Sequence, residues 1–290
     1  MHTTTSQSDH LIQILPPKER GFECLLVALR SNLAIALYLL PRAQRRDALL
    51  FYKFCHSIDH CVDHSLLTLP EKEVLLNQWL TGIQNLPSSR LPTDFQEMIV
   101  RRKLDTNLLC EIIRGVLMDL TIHRYATFND LRGYIWRVAS AVGLVSVQIF
   151  GTEGPDVTQY AEALGIAFQL TNILRDVAED AAMSRIYLPL EDLSRFSVTE
   201  EEILQSTPSP QATHLFHYEG ERALSYFAKA ELAWESMPVH QQRLMRPARL
   251  MEAIYRTLLN TMQKDRYDLF YRHYRVSAVK KGILALQVFL

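Results

Sequence analysis

Apolar residues recur at helical spacing along most of this chain, and nowhere do they alternate over the length of a strand. Helices are predicted from near Gly21 to a break at Pro41, over Gln44–Asp63, from Pro70, over Phe95–Lys103, Asn107–His123 and Asn129–Gly151. The pattern continues over Gly165–Ala182, from the acidic start Ser197-Val-Thr-Glu-Glu-Glu, over His214–Met237, and from Arg243 to about Tyr274. Pro70 suits a first helical turn, with Glu71 and Glu73 behind it. Asn85–Phe95, with two prolines, reads as a polar loop, and Gly154-Pro155 as a turn. Residues 1–17 read as a loose arm closed by Pro16-Pro17. Residues 18–290 read as a single all-α domain, because no linker divides them and no repeat is visible.

One stretch breaks the ordinary amphipathic pattern. From Gly165 to Pro189 it reads GIAFQLTNILRDVAEDAAMSRIYLP. Its apolar residues cover most of the helix circumference, so the helix should be buried. Yet Gln169, Asn172, Asp176 and Asp180 follow at spacings of three, four and four, which puts two amides and two carboxylates on one face. Charged groups are seldom buried without a partner. A single such stripe would ordinarily be a solvated face. A second one, Tyr52, His56, Asp59 and Asp63 at four, three and four, lies on the predicted Gln44–Asp63 helix. Two such helices facing across a cavity could hold several hard divalent cations through carboxylate oxygens. A rival reading rests on HSIDHCVDH, where His56, His60 and His64 interleave with aspartates and could bind a transition metal, as in a metal-dependent hydrolase. The central stripe lacks the Glu-x-x-His pair of a di-iron bundle.

Composition narrows the classes. The chain has 290 residues, 48% hydrophobic and 22% charged, enough for a large core. A net charge of −1 gives no nucleic-acid footprint. Four cysteines without a CxxC pair or zinc spacing fit a reducing compartment. The start MHTTTSQSDH has no apolar core of a secretory signal. The longest apolar run, near Ala141–Phe150, is too short to cross a bilayer. A cytoplasmic protein is expected, soluble or peripheral to a membrane; the terminal ILALQVFL could touch a lipid surface but is assigned as a buried cap. No GxGxxG follows a strand, so no Rossmann nicotinamide site is expected.

The full motifs carry more than their geometry. LRDVAEDAAMSRIYLP resembles the second aspartate-rich signature of the squalene/phytoene synthase family, and ALLFYKFCHSIDHCVD resembles the first. YIWRVASAVGLVSVQIFG resembles the segment between them, and its VASAVGL form looks most like bacterial presqualene diphosphate synthases. The resemblance spans roughly Gly21 to Lys280. It implies an isoprenoid synthase fold, a helical bundle around a central cavity, and the head-to-head joining of two prenyl diphosphates with Mg²⁺. Asp59, Asp63, Asp176 and Asp180 would then be the catalytic metal-binding carboxylates, with Asn172 as a neutral ligand. Tyr52, His56, Arg175, Arg185, Tyr187, Tyr255, Arg272 and Lys280 would bind diphosphate or line its site, and Tyr52, Trp136 and Phe168 could wall the cation. Taken one by one, these residues have plainer readings: an Arg175–Glu179 pair on the helix surface, half-buried tyrosines, a basic solvated tail.

The chain departs from the family pattern mainly in its first half. Asp59-His60 stands where Asp-Asp is usual, His56 where Arg is usual, Ser31-Asn32 in place of Ser-Phe, and Trp136 in place of tyrosine. These departures motivate a third reading, a degenerate non-catalytic member. Within the family, farnesyl diphosphate is the first choice of substrate and geranylgeranyl diphosphate, for a phytoene synthase, the second. NADPH can be used by this family without a Rossmann motif, so reduction to squalene stays open. Oligomeric state is not legible.

Overall fold

The computed structural model describes residues 36–37, 40–63, 66–88 and 90–289. Among these residues the structure is helical, with one isolated bridge between Arg124 and Ile186. The helices are α1 (Arg42–Asp63), α2 (Leu69–Gln84), α3 (Thr93–Arg102), α4 (Thr106–Met118), α5 (Phe128–Ile135), a π turn (Trp136–Ser140), α6 (Ala141–Phe150) and α7 (Pro155–Arg175). They continue as α8 (Val177–Ala182), α9 (Leu190–Arg195), α10 (Glu200–Leu204), α11 (Pro210–Ser236), α12 (Val239–Leu244), α13 (Arg246–Lys264) and α14 (Ala278–Phe289). The all-α expectation holds. The arm and the helix near Gly21 lie outside the described residues.

Local chemistry sets the boundaries. Thr127 and Asp130 cap α5 reciprocally: Thr127 Oγ1 accepts the Asp130 N–H at 3.2 Å, and the Asp130 carboxylate accepts the Thr127 N–H at 3.0 Å. Thr199 and Glu202 do the same for α10, at 3.1 and 2.7 Å, so the helix begins after Thr199 rather than at Ser197. The expected helix from Arg243 to Tyr274 stops at Lys264, because Arg266 and Tyr267 both take left-handed backbone angles, φ 55° and 54°. The Asn107–His123 helix ends early at Met118, whose carbonyl accepts from Thr121 and Ile122 in a turn. The Gly165–Ala182 helix begins ten residues sooner, at Pro155, and breaks at Asp176 (φ −103°, ψ 12°). Three elements had no sequence expectation as separate helices, α9, α12 and α14.

α7 is the axis of the molecule. It packs most extensively along α11, and also on the π turn, α6 and α13. Val157, Ala161, Leu164, Ala167, Leu170, Ile173 and Leu174 are all buried. Where α7 meets α13, Tyr160 Oη donates to Glu252 Oε2 at 2.8 Å, and Arg249 and Arg256 bond the same carboxylate at 2.9 and 2.8 Å. That cluster satisfies a carboxylate buried to 1% exposure. From Phe128 to Phe150 the chain runs as a 23-residue helical stretch, long and apolar enough to cross a membrane by length and composition alone. The expected Asn129–Gly151 helix covers this stretch, while the expectation that no run is long enough to cross a bilayer counted only Ala141–Phe150. In the fold this stretch packs on α4 and α7.

Two glycines admit the π turn. A Cβ on Gly115 of α4 would lie 2.7 Å from Val138 Cγ1, and one on Gly165 of α7 would lie 2.5 Å from Ser140 Cα. The wider π turn thus sits between two helices that carry hydrogen in place of a side chain at the contact. Gly165→Ala should cost about 1–3 kcal/mol, because backbone must move. Gly133→Ala, in α5, should instead stabilise by about 0.5–1 kcal/mol, since its Cβ would meet only Arg137 Nη1 at 4.0 Å. Urea unfolding of both variants checks the pair; equal stabilities would show that the π turn is not held by this contact.

Candidate active site

The fourth side of α7 faces a cavity of about 930 Å³. α1 supplies the opposite wall with Ala48, Phe51, Tyr52, Cys55, Ile58 and Asp59. α4, the π turn and α6 close a third side with Ile112, Val138, Val142 and Ile149, and α13 a fourth with Ala248, Met251 and Tyr255. Along α7 the lining runs from Ala161 to Asp176, about 22 Å of helix at 1.5 Å per residue. The charged side chains on the wall are Asp59, Arg175, Asp176, Glu179, His273, Arg275 and Lys281, of which Arg175 meets Asp176 and His273 meets Glu179. Most of the remaining lining residues are apolar. A cavity that combines charged groups with a large apolar lining fits an amphiphile with an anionic head.

The two aspartate stripes do meet here, in part. Asp59 from α1 and Asn172 and Asp176 from α7 line the same space. Asp180 is not among the lining residues, although its neighbour Glu179 on α8 is; the backbone breaks between α7 and α8 at Asp176. The side chain of Asp63 lies outside the described residues. Both Asp176 oxygens accept from the Arg175 guanidinium, at 2.6 and 2.5 Å. Burial opposes the Arg175 charge, but that hydrogen bond and the Asp176 charge outweigh it and leave the guanidinium pKa raised. Arg175 therefore pairs with Asp176, not with Glu179. Glu179 instead takes His273 Nδ1 at 3.1 Å, which ties α8 to the segment between α13 and α14.

Asn172 Oδ1 is buried with no hydrogen-bond partner, while its amide nitrogen reaches Gln169 Oε1 at 3.4 Å. An orphaned oxygen on a wall that also carries the carboxylates of Asp59 and Asp176 offers donors suited to a hard cation. Among the described residues no three His, Cys, Asp or Glu side chains gather to hold an ion by themselves. Among the described residues the transition-metal reading gains no support: His56 and His60 are exposed and meet edge-on at 5.9 Å between ring centroids, and neither lines the cavity. His64 lies outside the described residues. Cys55 faces the cavity, but burial and the Asp59 charge push its thiol pKa far up, so it is no thiolate nucleophile.

Several expected contacts fall elsewhere. Tyr187 is buried and donates to Asp119 Oδ1 at 2.9 Å, beside Tyr134, which donates to Oδ2 at 3.0 Å. Arg185 reaches the Asp119 carbonyl at 3.4 Å. The RIYLP segment is thus a strap docked on residues 119–126, joined by the Ile186 N–H to the His123 carbonyl. Trp136 donates its Nε1–H to Glu162 at 3.1 Å, outside the cavity. Arg272 is exposed and pairs with Asp265. Lys280 is exposed too. Tyr52, Phe168 and Tyr255 do line the cavity, and Phe168 stacks on Tyr255 with centroids 4.3 Å apart.

The neighbour of Lys280 takes the place expected of it. Lys281 is 5% exposed and lines the cavity, and its side chain has no hydrogen bond or ion pair among the described residues. Desolvation pushes its ammonium pKa below the ordinary lysine value. A mostly buried lysine side chain with no carboxylate partner on a cavity wall is a site for an anion. The KK doublet was visible in sequence, but apolar residues surround it on both sides and leave the helix phase open.

A helical shell around one deep, amphiphile-shaped cavity is the isoprenoid synthase arrangement. A dehydrosqualene synthase solved in complex with ligand superposes with a TM-score of 0.79 at 25% identity, covering 97% of each chain. The squalene/phytoene synthase family model matches residues 27–280, and the chain belongs to that family, prenyltransferases that join two prenyl diphosphates head to head. A 15-cis-phytoene synthase of Synechococcus elongatus is 32% identical over 89% of this chain and 89% of its own. A presqualene diphosphate synthase of Rhodopseudomonas palustris is 34% identical over 81% of this chain and 85% of its own.

Lys281→Met should weaken inorganic diphosphate binding by about tenfold to a hundredfold, the scale of a lost charged hydrogen bond. Lys280→Met should change it by less than about threefold, since exposed charge is screened. Binding an anion favours the ammonium, so affinity should fall as pH rises through the lowered Lys281 pKa, with proton uptake on binding there. Calorimetry in two buffers of different ionisation enthalpy reads both effects. Equal affinities for the two variants would remove Lys281 from the site.

Proposed function

We propose that the chain condenses two farnesyl diphosphates into presqualene diphosphate, with Mg²⁺. The observation that supports this choice is the VASAVGL segment: Val138, Ala139, Val142 and Gly143 form part of the cavity wall, where they would touch the prenyl chains. The likeness to the presqualene diphosphate synthase of Rhodopseudomonas palustris agrees with it. The likeness to the phytoene synthase of Synechococcus elongatus, over a longer stretch, favours a second reading, geranylgeranyl diphosphate to phytoene.

In this reading Asp59, Asn172 and Asp176 would hold Mg²⁺, with diphosphate oxygens and water completing the shell. The ion supplies neutralisation of the departing diphosphate. Arg175 and Arg275 add fixed positive charge beside it, and Lys281 adds a desolvated one. The apolar body keeps water from the allylic carbocation until the second chain's double bond attacks it. Phe168 and Tyr255 offer π faces to the cation. Asp180 would act from outside the cavity wall, through the backbone turn that its carbonyl anchors by accepting from Arg185 N–H at 2.9 Å. NADPH would not be needed to reach presqualene diphosphate.

Asp59→Asn and Asp176→Asn should each lower turnover about 10²–10³-fold while circular dichroism stays unchanged. The assay is incubation with farnesyl or geranylgeranyl diphosphate and Mg²⁺, with and without NADPH, and product identification by mass spectrometry. Phytoene as the main product, with farnesyl diphosphate unused, would overturn the substrate assignment. Near-wild-type turnover of either variant at saturating Mg²⁺ would overturn the metal assignment.

A further inference from the structure

We infer that Glu219 and Asp192 share a single proton, and that this proton lets Arg222 hold α9, and with it the strap, against α11. The two carboxylates come from different helices, Asp192 from α9 and Glu219 from α11, and are 3% and 2% exposed. One guanidinium serves both. Arg222 Nη1 donates to the two Glu219 oxygens at 2.6 and 2.7 Å and to Asp192 Oδ2 at 2.8 Å. That nitrogen carries two hydrogens, so three carboxylate oxygens cannot each receive one. The guanidinium is not free to turn and offer more. Its Nη2 reaches Tyr218 Oη at 3.2 Å, and its carbon lies over the Phe128 and Tyr218 rings at 4.1 and 4.8 Å. A proton on one carboxyl supplies the missing hydrogen bond, from one acid to the other, and cancels the surplus buried negative charge.

The other charges nearby are engaged elsewhere. On α9, Glu191 accepts the Phe128 N–H at 2.6 Å, and Arg195 donates to Tyr218 Oη at 2.8 Å. On α11 itself, Glu221 accepts from Gln263 at 3.2 Å. Tyr267 packs on His217 of α11 with ring centroids 4.7 Å apart, and the charge that acts on it is that of Glu221. Of the helices packed on α11, α7 has Arg175 paired with Asp176, and α13 has Arg249 and Arg256 paired with Glu231 and Glu252. Burial pushes the Glu219 carboxyl up to about 8; Arg222 pulls it down, and the Asp192 charge adds to the rise. A carboxyl raised in the fold above its ordinary value of 4.5 stabilises fully below 4.5, and that contribution falls as pH rises and is gone above about 8. The strap ahead of α9 is held by the Ile186 N–H to the His123 carbonyl at 3.1 Å and the Leu190 N–H to the Tyr125 carbonyl at 2.9 Å. It leads back to α8, whose Glu179 lines the cavity, so what loosens α9 loosens the route to the cavity wall.

The test is hydrogen exchange of the Ile186 and Leu190 amides in the full chain, wild type against Glu219→Gln, which cancels the intrinsic pH dependence of exchange. The ratio of rates, wild type over variant, should rise about tenfold or more between about pH 5 and about pH 8 and level off above. Asp192→Asn should abolish the same rise, since Glu219 then has Arg222 to itself. The double variant Glu219→Gln/Asp192→Asn should exchange faster than either single variant at every pH, because the buried guanidinium is left without a carboxylate. A rate ratio that does not change with pH, a rise that survives in Asp192→Asn, or a double variant no faster than the single ones would each overturn the inference. In wild-type protein carrying carbon-13 at the Glu and Asp side-chain carboxyls, one resonance should titrate at about 8. All of them titrating in the ordinary carboxylate range would overturn the inference whether or not any variant folds.

Discussion

A helix buried on three sides, with polar groups on the fourth, is the constraint around which this molecule is built. α7 cannot be solvated, yet it carries Gln169, Asn172 and Asp176 in one line. Each must be satisfied locally or by what enters the cavity. Asp176 is held by the guanidinium next to it. Asn172 keeps an oxygen without a partner. The surrounding helices meet that demand by leaving a space instead of filling it, and the apolar parts of α1, α4, α6 and α13 define the shape of that space.

The same economy of charge recurs away from the cavity, with the opposite outcome. Glu252 is buried more completely than Asp176, but Tyr160, Arg249 and Arg256 use up its oxygens. Glu219 and Asp192 share Arg222 in a like manner, at 2.6 and 2.8 Å. These closed clusters fix helices to one another and have no capacity left for a ligand. The open one, on α7, retains capacity because α1 stands off across a gap. The contrast separates structural from functional buried charge better than exposure does.

How much of this was legible in the sequence depends on what each feature rests on. The helices, and the burial of α7, follow from spacing and from the lack of any strand pattern. The pairing of Asp59 with Asn172 and Asp176 across a cavity follows from repeated stripes. Asp180 was put in line with Asp176 by spacing that assumes an unbroken helix, and the turn at Asp176, which sets the two on different helices, is invisible to periodicity. Tyr187 and Arg185 were drawn to the site by their motif; in space, both reach Asp119, where the segment forms a strap. Lys281 could not be told from Lys280, since α14 is apolar on both faces and one residue of phase decides which lysine turns inward.

The π turn at Trp136–Ser140 has an effect on the two helical pieces that flank it. A five-residue repeat of hydrogen bonding inserts a fraction of a turn, so the faces of α5 and α6 are out of register by roughly one residue's rotation, about 100°. Upstream, Tyr134 points to Asp119 and the strap; downstream, Val142, Ser146 and Ile149 point into the cavity. A single straight helix would have had to choose between anchoring the strap and shaping the cavity floor. The phase slip lets one continuous run of backbone serve both, and it makes the length of that run, residue by residue, intolerant of any insertion or deletion that is not a whole turn.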